Sequence, residues 1–290
     1  MLNFNDLLRK NEIDPEQVNV ARHRPELALR DKFAWIASER PELFDYYQST
    51  QSPQREKMLL NRDFLASFIG LRDGSTIFVG VYKKKNFREV TKKSFHEDPR
   101  FLRLRALGCN DYPEPLRLVF NFEELKAFRA LKGRLYIQWG GGPRSFIQVA
   151  ANRDFPIVKL AEENQLVAEL QHHSELILSE ADIRELPHTW RERMSQWRAV
   201  YIITDISDGA RYIGSASGAE NLWQRWKYYS DTGHGGNVLL KSRDPANFRF
   251  SILELLAADE EKAVVLEKEV NWKRRLLTRA SDGYFGLNDN

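Results

Sequence analysis

Three side chains in the last third of the chain carry chemistry that their surroundings do not call for. Glu269 belongs to the series Val265, Glu269, Trp272 and Leu276, whose offsets of four, three and four put all of them on one helix face, whereas Glu267 falls on the other side. A carboxylate in an apolar stripe is costly unless a cation or a metal compensates it, so Glu269 is read either as half of a salt bridge to a nearby arginine or as a metal ligand. Arg225 follows Leu222 by three positions on a helix expected from Glu220 to Tyr229, where Leu222, Trp226 and Tyr229 form the buried stripe. Its planar fork suits a phosphate, and a solvated helix flank is the alternative. His234 stands in Thr232-Gly233-His234-Gly235-Gly236-Asn237, where glycines let backbone approach a ligand closely. A lone histidine in such a loop is otherwise structural or simply exposed.

A hairpin must position these groups. Ala199–Thr204 and Arg211–Ala216 both alternate as strands, and Asp208-Gly209 between them supplies a tight turn. The hairpin carries Tyr201 and Tyr212, which on spacing alone are ordinary strand residues. Asn247–Leu255, with Phe248, Phe250 and Ile252 alternating, adds a third strand.

The order Val200-Tyr201, then Tyr212-Ile213-Gly214, an arginine on a helix, a histidine, a helical glutamate and a late asparagine resembles the GIY-YIG endonuclease family. The resemblance covers Ala199 to Asn288 and departs from the family at Ala199, where glycine is usual. It implies an α/β nuclease core with a three-stranded sheet backed by helices. It also implies roles: Tyr201 as general base, Tyr212 orienting water or phosphate, Arg225 neutralising the scissile phosphate, and His234 in a His/Tyr/Lys slot donating a proton or hydrogen bond. Glu269, followed three positions on by Trp272, would hold a single catalytic Mg²⁺ or Mn²⁺, and Asn288 would tie the site together. Gly214 would allow close approach to a helix or DNA, and Lys273 would contact DNA. A phenol with an ordinary pKa of about 10 needs a substantial downward shift, supplied by the metal-bound environment, or transient proton transfer to serve as a base.

The whole chain has 290 residues, 42% hydrophobic and 29% charged, which is enough for two globular domains. No apolar run approaches a membrane span, and the opening Met-Leu-Asn-Phe-Asn-Asp lacks the pattern of a secretion signal, so a cytoplasmic protein is expected. The single cysteine, Cys109, excludes an internal disulfide or a multi-cysteine zinc site. A net charge of +3 is too small to argue for nucleic acid, although Lys83-Lys84-Lys85 with Arg88, Lys92 and Lys93, and Lys273-Arg274-Arg275 with Arg279, form basic clusters.

The fold class expected is α+β, with domains at residues 1–180 and 199–290 and one amphipathic connecting helix over 181–198 carrying Leu186, Trp190, Met194 and Trp197. In the first domain, Asp14-Pro15-Glu16 and Asp31–Arg40 read as helices. Phe64–Leu71 and Thr76–Tyr82 read as a hairpin about Asp73-Gly74, and Arg134–Trp139 with Arg144–Val149 as a second about Gly140–Pro143; Pro113–Asn121 adds a strand. These elements predict an antiparallel sheet or small barrel with flanking helices. Trp139, Tyr82 and Gln148 are candidates to line a pocket for an extruded base. The expected function is a metal-dependent DNA endonuclease in restriction or anti-phage defence, selecting modified DNA through its N-terminal domain and able to act as a homodimer. The alternatives are a structure-specific repair or recombination nuclease and an inactive DNA-binding module.

Overall fold

The computed structural model describes residues 2–71, 73–111, 114–140, 146–167, 172–218, 221–282 and 285–289. The chain divides into two units, Met1–Ala168 and Glu169–Asn290. No helix among the described residues is long and apolar enough to cross a membrane.

The first unit contains α1 (Phe4–Lys10), β1 (Val18–His23), α2 (Leu27–Glu39), α3 (Pro41–Gln48), α4 (Pro53–Leu60), β2 (Phe64–Gly70), β3 (Thr76–Thr91), α5 (Lys92–His96), α6 (Pro99–Ala106), β4 (Leu116–Glu124), β5 (Leu135–Ile137), β6 (Ile147–Val149) and β7 (Ile157–Leu160). Its strands form a curled half-barrel sheet in the order β6-β1-β2-β3-β5-β7, with β4 also paired to β3. One core, including Phe33, Phe44, Leu65, Val79 and Tyr82, packs under the helices. A second, including Phe4, Val18, Val20, Phe68, Phe78 and Phe155, fills the other face.

Several expectations for this unit change. The sheet is mixed rather than antiparallel, because β1 runs parallel to β2 and the crossover through α2, α3 and α4 supplies the long connection that parallel pairing needs. Asp14 does cap a turn, but only the 3₁₀ segment Pro15–Gln17, since β1 begins immediately after it. The hairpin at Asp73-Gly74 forms, with Gly74 at φ 88°. Its second strand runs on to Thr91, through the basic cluster, because beyond Lys84 it pairs only with β4 and exposes its charged side chains. The second expected hairpin does not form: β5 pairs with β3 and β7, while β6 pairs with β1. Pro113, residues 141–143 of its turn and Arg144 lie outside the described residues.

The second unit contains β8 (Ile177–Ser179), α7 (Glu180–Glu185), α8 (His188–Met194), β9 (Arg198–Asp205), β10 (Arg211–Ala216), α9 (Asn221–Thr232), β11 (Phe248–Leu256) and α10 (Lys262–Arg275). The four strands are antiparallel in the order β10-β9-β11-β8. The extra strand, β8, is three residues long and too short to show periodicity in sequence. Two short helices replace the single connecting helix. Ser179 and Asp182 close a capping box on α7, and Leu186, preceding Pro187, leaves helical geometry at ψ 138° because the proline ring excludes the α region there. Glu220, the expected first residue of α9, lies outside the described residues. Gly209 at φ 80° turns the hairpin, and Arg243 bridges Asp205 and Asp208 at 2.7 and 2.9 Å.

Buried His23 gives the first unit a pH signature. Burial, then the charge of Arg55, pushes its pKa from 6.5 down to about 3. Between those values the unfolded chain binds a proton that the folded chain does not, so stability present above the unfolded pKa is lost as pH falls toward the folded one. Relative to His23→Phe, the wild type is expected to lose roughly 1.5–2 kcal/mol between about pH 6.5 and 5, read from urea unfolding at each pH. Parallel pH profiles for the two proteins would contradict this assignment.

Candidate active site

The register of the hairpin sorts side chains onto two faces. Tyr201 pairs with Gly214 and Ile252 across the sheet, while its neighbour Val200 pairs with Ser215 and Glu254, so these two rows point to opposite sides. On the first side the fully buried ring of Tyr201 crosses β10 directly over Gly214. A Cβ at position 214 would stand 2.4 Å from the Tyr201 hydroxyl oxygen, 2.7 Å from its Cζ and 3.0 Å from Cε1 of Tyr212. Glycine is thus required by space, and Tyr201 and Tyr212 both border the gap it leaves.

Helix α9 closes over this face. Its stripe of Leu222, Trp226 and Tyr229 is buried, and Arg225 reaches back between the phenols. The Tyr201 hydroxyl lies 3.3 Å from that of Tyr229. Arg225 donates from Nε to the Tyr201 hydroxyl at 3.4 Å and from Nη2 to the Tyr229 hydroxyl at 3.2 Å. The rings of Tyr212 and Tyr229 are 5.9 Å apart.

The glycine loop then docks on Tyr229: Gly235, at φ 55°, leaves room for its ring, because a Cβ there would come within 2.3 Å of Cε1. His234 precedes that contact, and its Nδ1 accepts the Gly236 amide at 3.0 Å, which puts the proton of the neutral ring on Nε2. The structure therefore gathers Tyr201, Tyr212, Gly214, Arg225 and the His234 loop, and adds Tyr229. Tyr229 appeared in the sequence as a stripe residue; its spacing of four from Arg225 is the signal that pairs them.

Electrostatics bear on the phenols. Burial, reinforced by Tyr212, raises the pKa of Tyr201 well above the ordinary phenol value, and the nearby Arg225 offsets only part of this. Burial, then Tyr201, does the same to Tyr229. Both shifts run opposite to the lowering that a general base requires, so for Tyr201 to act as a base a bound cation would have to reverse the effect of burial.

Glu269 is held on the opposite face. Ser215, the residue after Gly214 and thus turned to α10, donates its hydroxyl to Oε2 of Glu269. Oε1 pairs with the ammonium of Lys273 at 2.8 Å, one turn along α10, with both side chains largely buried. The ion pair anticipated from the apolar stripe is present, made by lysine rather than arginine. Lys273 is correspondingly 3% exposed and is not presented to a ligand as expected, because its charge is spent on Glu269. Trp272 donates its indole N–H to Glu254 at 2.9 Å, fixing the same helix to β11. The carboxylate and the phenols therefore flank the one-strand thickness of β10 rather than share a face.

Asn288 is a positioning residue for that strand. Its side chain accepts the Ile213 amide at 2.9 Å and donates to the Ile213 carbonyl at 2.7 Å. Arg211 bonds in the same way to the backbone of Phe285 and Leu287 at 2.8 Å, so the late segment clasps the outer edge of β10.

A divalent cation finds one carboxylate and one hydroxyl here, Glu269 and Ser215. Each carboxylate oxygen keeps a second lone pair, which fits the water-rich coordination of Mg²⁺, and the Lys273 ammonium is the repulsion that such an ion would have to offset.

Tyr82, Trp139 and Gln148 do not assemble into one pocket. Tyr82 is buried in the core under the helices, whereas Trp139 packs on the opposite core against Phe155 at 5.7 Å. Gln148 donates its amide to the Gly140 carbonyl at 2.9 Å. Alternation along the strands separates them.

Comparison with protein families, with curated proteins and with solved structures finds no match to this chain. The site consequently rests on its own geometry.

Two substitutions test that geometry. Gly214→Ala is expected to lower stability by about 1–3 kcal/mol through overpacking against Tyr201. Asn288→Ala, which strips both partners from the Ile213 peptide, is expected to cost about 1–3 kcal/mol. Denaturant unfolding of the full chain measures both, and wild-type stability in either variant would refute the corresponding contact.

Proposed function

We propose that the protein is a metal-dependent DNA endonuclease of the GIY-YIG kind, with residues 199–290 as its nuclease core. One observation carries this: Tyr201 lies over Gly214 with its hydroxyl against Arg225, so residues from two strands and a helix meet around a guanidinium suited to phosphate. Arg225 orients and neutralises the scissile phosphate, and the phenols of Tyr201 and Tyr229, which accept from its Nε and Nη2, hold the guanidinium in place. Tyr212 borders the same space and orients phosphate or water. His234, with its proton on Nε2, donates to the leaving oxygen. Glu269 and Ser215 hold Mg²⁺ or Mn²⁺, which when bound supplies Lewis acidity beside the edge strand.

The first unit selects the DNA, including modified DNA, and makes cutting conditional on what it binds. That division suits restriction or anti-phage defence in the cytoplasm. One site per chain cuts one strand, and a homodimer gives a double-strand break.

A specific observation favours a second reading, an inactive DNA-binding module: the acid that would hold the metal is neutralised by Lys273 and lies across β10 from the phenols. Cleavage of plasmid, branched and base-modified phage DNA in magnesium separates the possibilities. Wild-type cutting that falls about 100-fold or more in Arg225→Ala and Glu269→Ala supports the nuclease. Cutting of branched DNA alone moves the role to repair or recombination, and binding without Glu269-dependent cutting leaves the module.

A further inference from the structure

The first unit contains a cavity of about 220 Å³ at the end of β1. Arg22, His23, Arg24 and Glu26 line it from β1 and the turn after it, Tyr47, Gln51 and Arg55 from the helices, and Phe146 from the segment entering β6. Three guanidiniums face one carboxylate, so the cavity favours an anion.

Several of its buried polar atoms have no hydrogen-bond partner among the described residues. Arg22 is 8% exposed; its guanidinium lies 4.7 Å over the Trp139 ring, and its Nε and Nη2 are buried with no hydrogen-bond partner among the described residues. His23 is 6% exposed, and its Nε2 is equally unpartnered, as is Oε2 of Glu26. Unpaired buried donors and acceptors of this kind cost about 1–3 kcal/mol each, so this cluster is retained at a price that a ligand would remove. Aromatic rings stand beside them: Tyr47, which meets the His23 ring edge to face at 5.8 Å, and Phe146, one face of which the Arg55 guanidinium covers at 4.6 Å. A volume near that of about seven liquid waters exceeds what an inorganic anion fills, so the anion carries a compact body.

We propose that this cavity binds a nucleotide unit, with its phosphate on the arginines, its base against Tyr47 and Phe146, and a base or sugar donor on Glu26. The site is separate from the nuclease reading: it concerns the first unit only, and its failure would leave DNA cutting untouched.

Calorimetric titration of the full chain with the four deoxynucleoside monophosphates, their nucleosides and inorganic phosphate tests it. One or more monophosphates should bind one to one, about tenfold or more tighter than the matching nucleoside. Arg55→Gln, a partly exposed position, should weaken that binding by about tenfold or more, and Glu26→Gln should change which base is preferred; thermal melts confirm that both variants fold. A duplex containing 2-aminopurine distinguishes the sources. A fluorescence rise suppressed by free nucleotide means the unit is turned out of DNA, and nucleotide binding without such a rise means it is free nucleotide. The proposal is overturned by no monophosphate binding, by inorganic phosphate binding as tightly as every nucleotide, or by binding that neither variant alters.

Discussion

The second unit depends on one steric fact: a phenol ring occupies the place where a side chain at position 214 would be. With Tyr201 lying across β10, its hydroxyl reaches past its own strand toward the sheet's edge, where α9 brings Arg225 and Tyr229. A larger residue at 214 would push the phenol back into the core and leave the guanidinium without one of its two phenol acceptors. The same contact fixes the hairpin register, because a slip by one residue would put Ser215 beneath the ring and turn Gly214 toward α10.

Around that contact the edge strand divides two chemistries. One face holds neutral phenols and a cation in a buried setting, which suits donating hydrogen bonds to an anion. The other holds a carboxylate balanced by an ammonium and a hydroxyl. Neither face alone has both a phosphate donor set and a metal ligand, so the proposed nuclease works only with a substrate that bridges the edge. The Glu269–Lys273 pair sets how much that bridging must offset, since removing an ammonium from a buried carboxylate is unfavourable unless another cation replaces it.

Much of the second unit was legible because its signals are local. Asp208-Gly209 marks the hairpin, Phe248, Phe250 and Ile252 mark β11, and Leu222, Trp226 and Tyr229 mark the buried stripe of α9. The partner of Glu269 was anticipated in kind but not in identity, although Lys273 stands at the i+4 spacing that favours such a pair. Ser215 was missed because a serine after a glycine carries no signal until register shows which way it points. In the first unit β1 was hidden by Asn19, Arg22 and His23, buried polar residues in a strand that apolar periodicity cannot find. The mixed sheet was hidden for a related reason: pairing partners far apart in sequence, such as β6 with β1, leave no local trace.

The clasp on β10 has a consequence for how the second unit reaches its final form. Arg211 and Ile213 find their outer hydrogen-bond partners more than seventy positions further along, a closure that loop entropy makes slow compared with formation of the hairpin itself. Until it occurs, β10 presents bare amides and carbonyls of the sort that recruit strands from other molecules. Refolding is therefore a race between an intramolecular zipper and encounters between chains, and dilution favours the zipper.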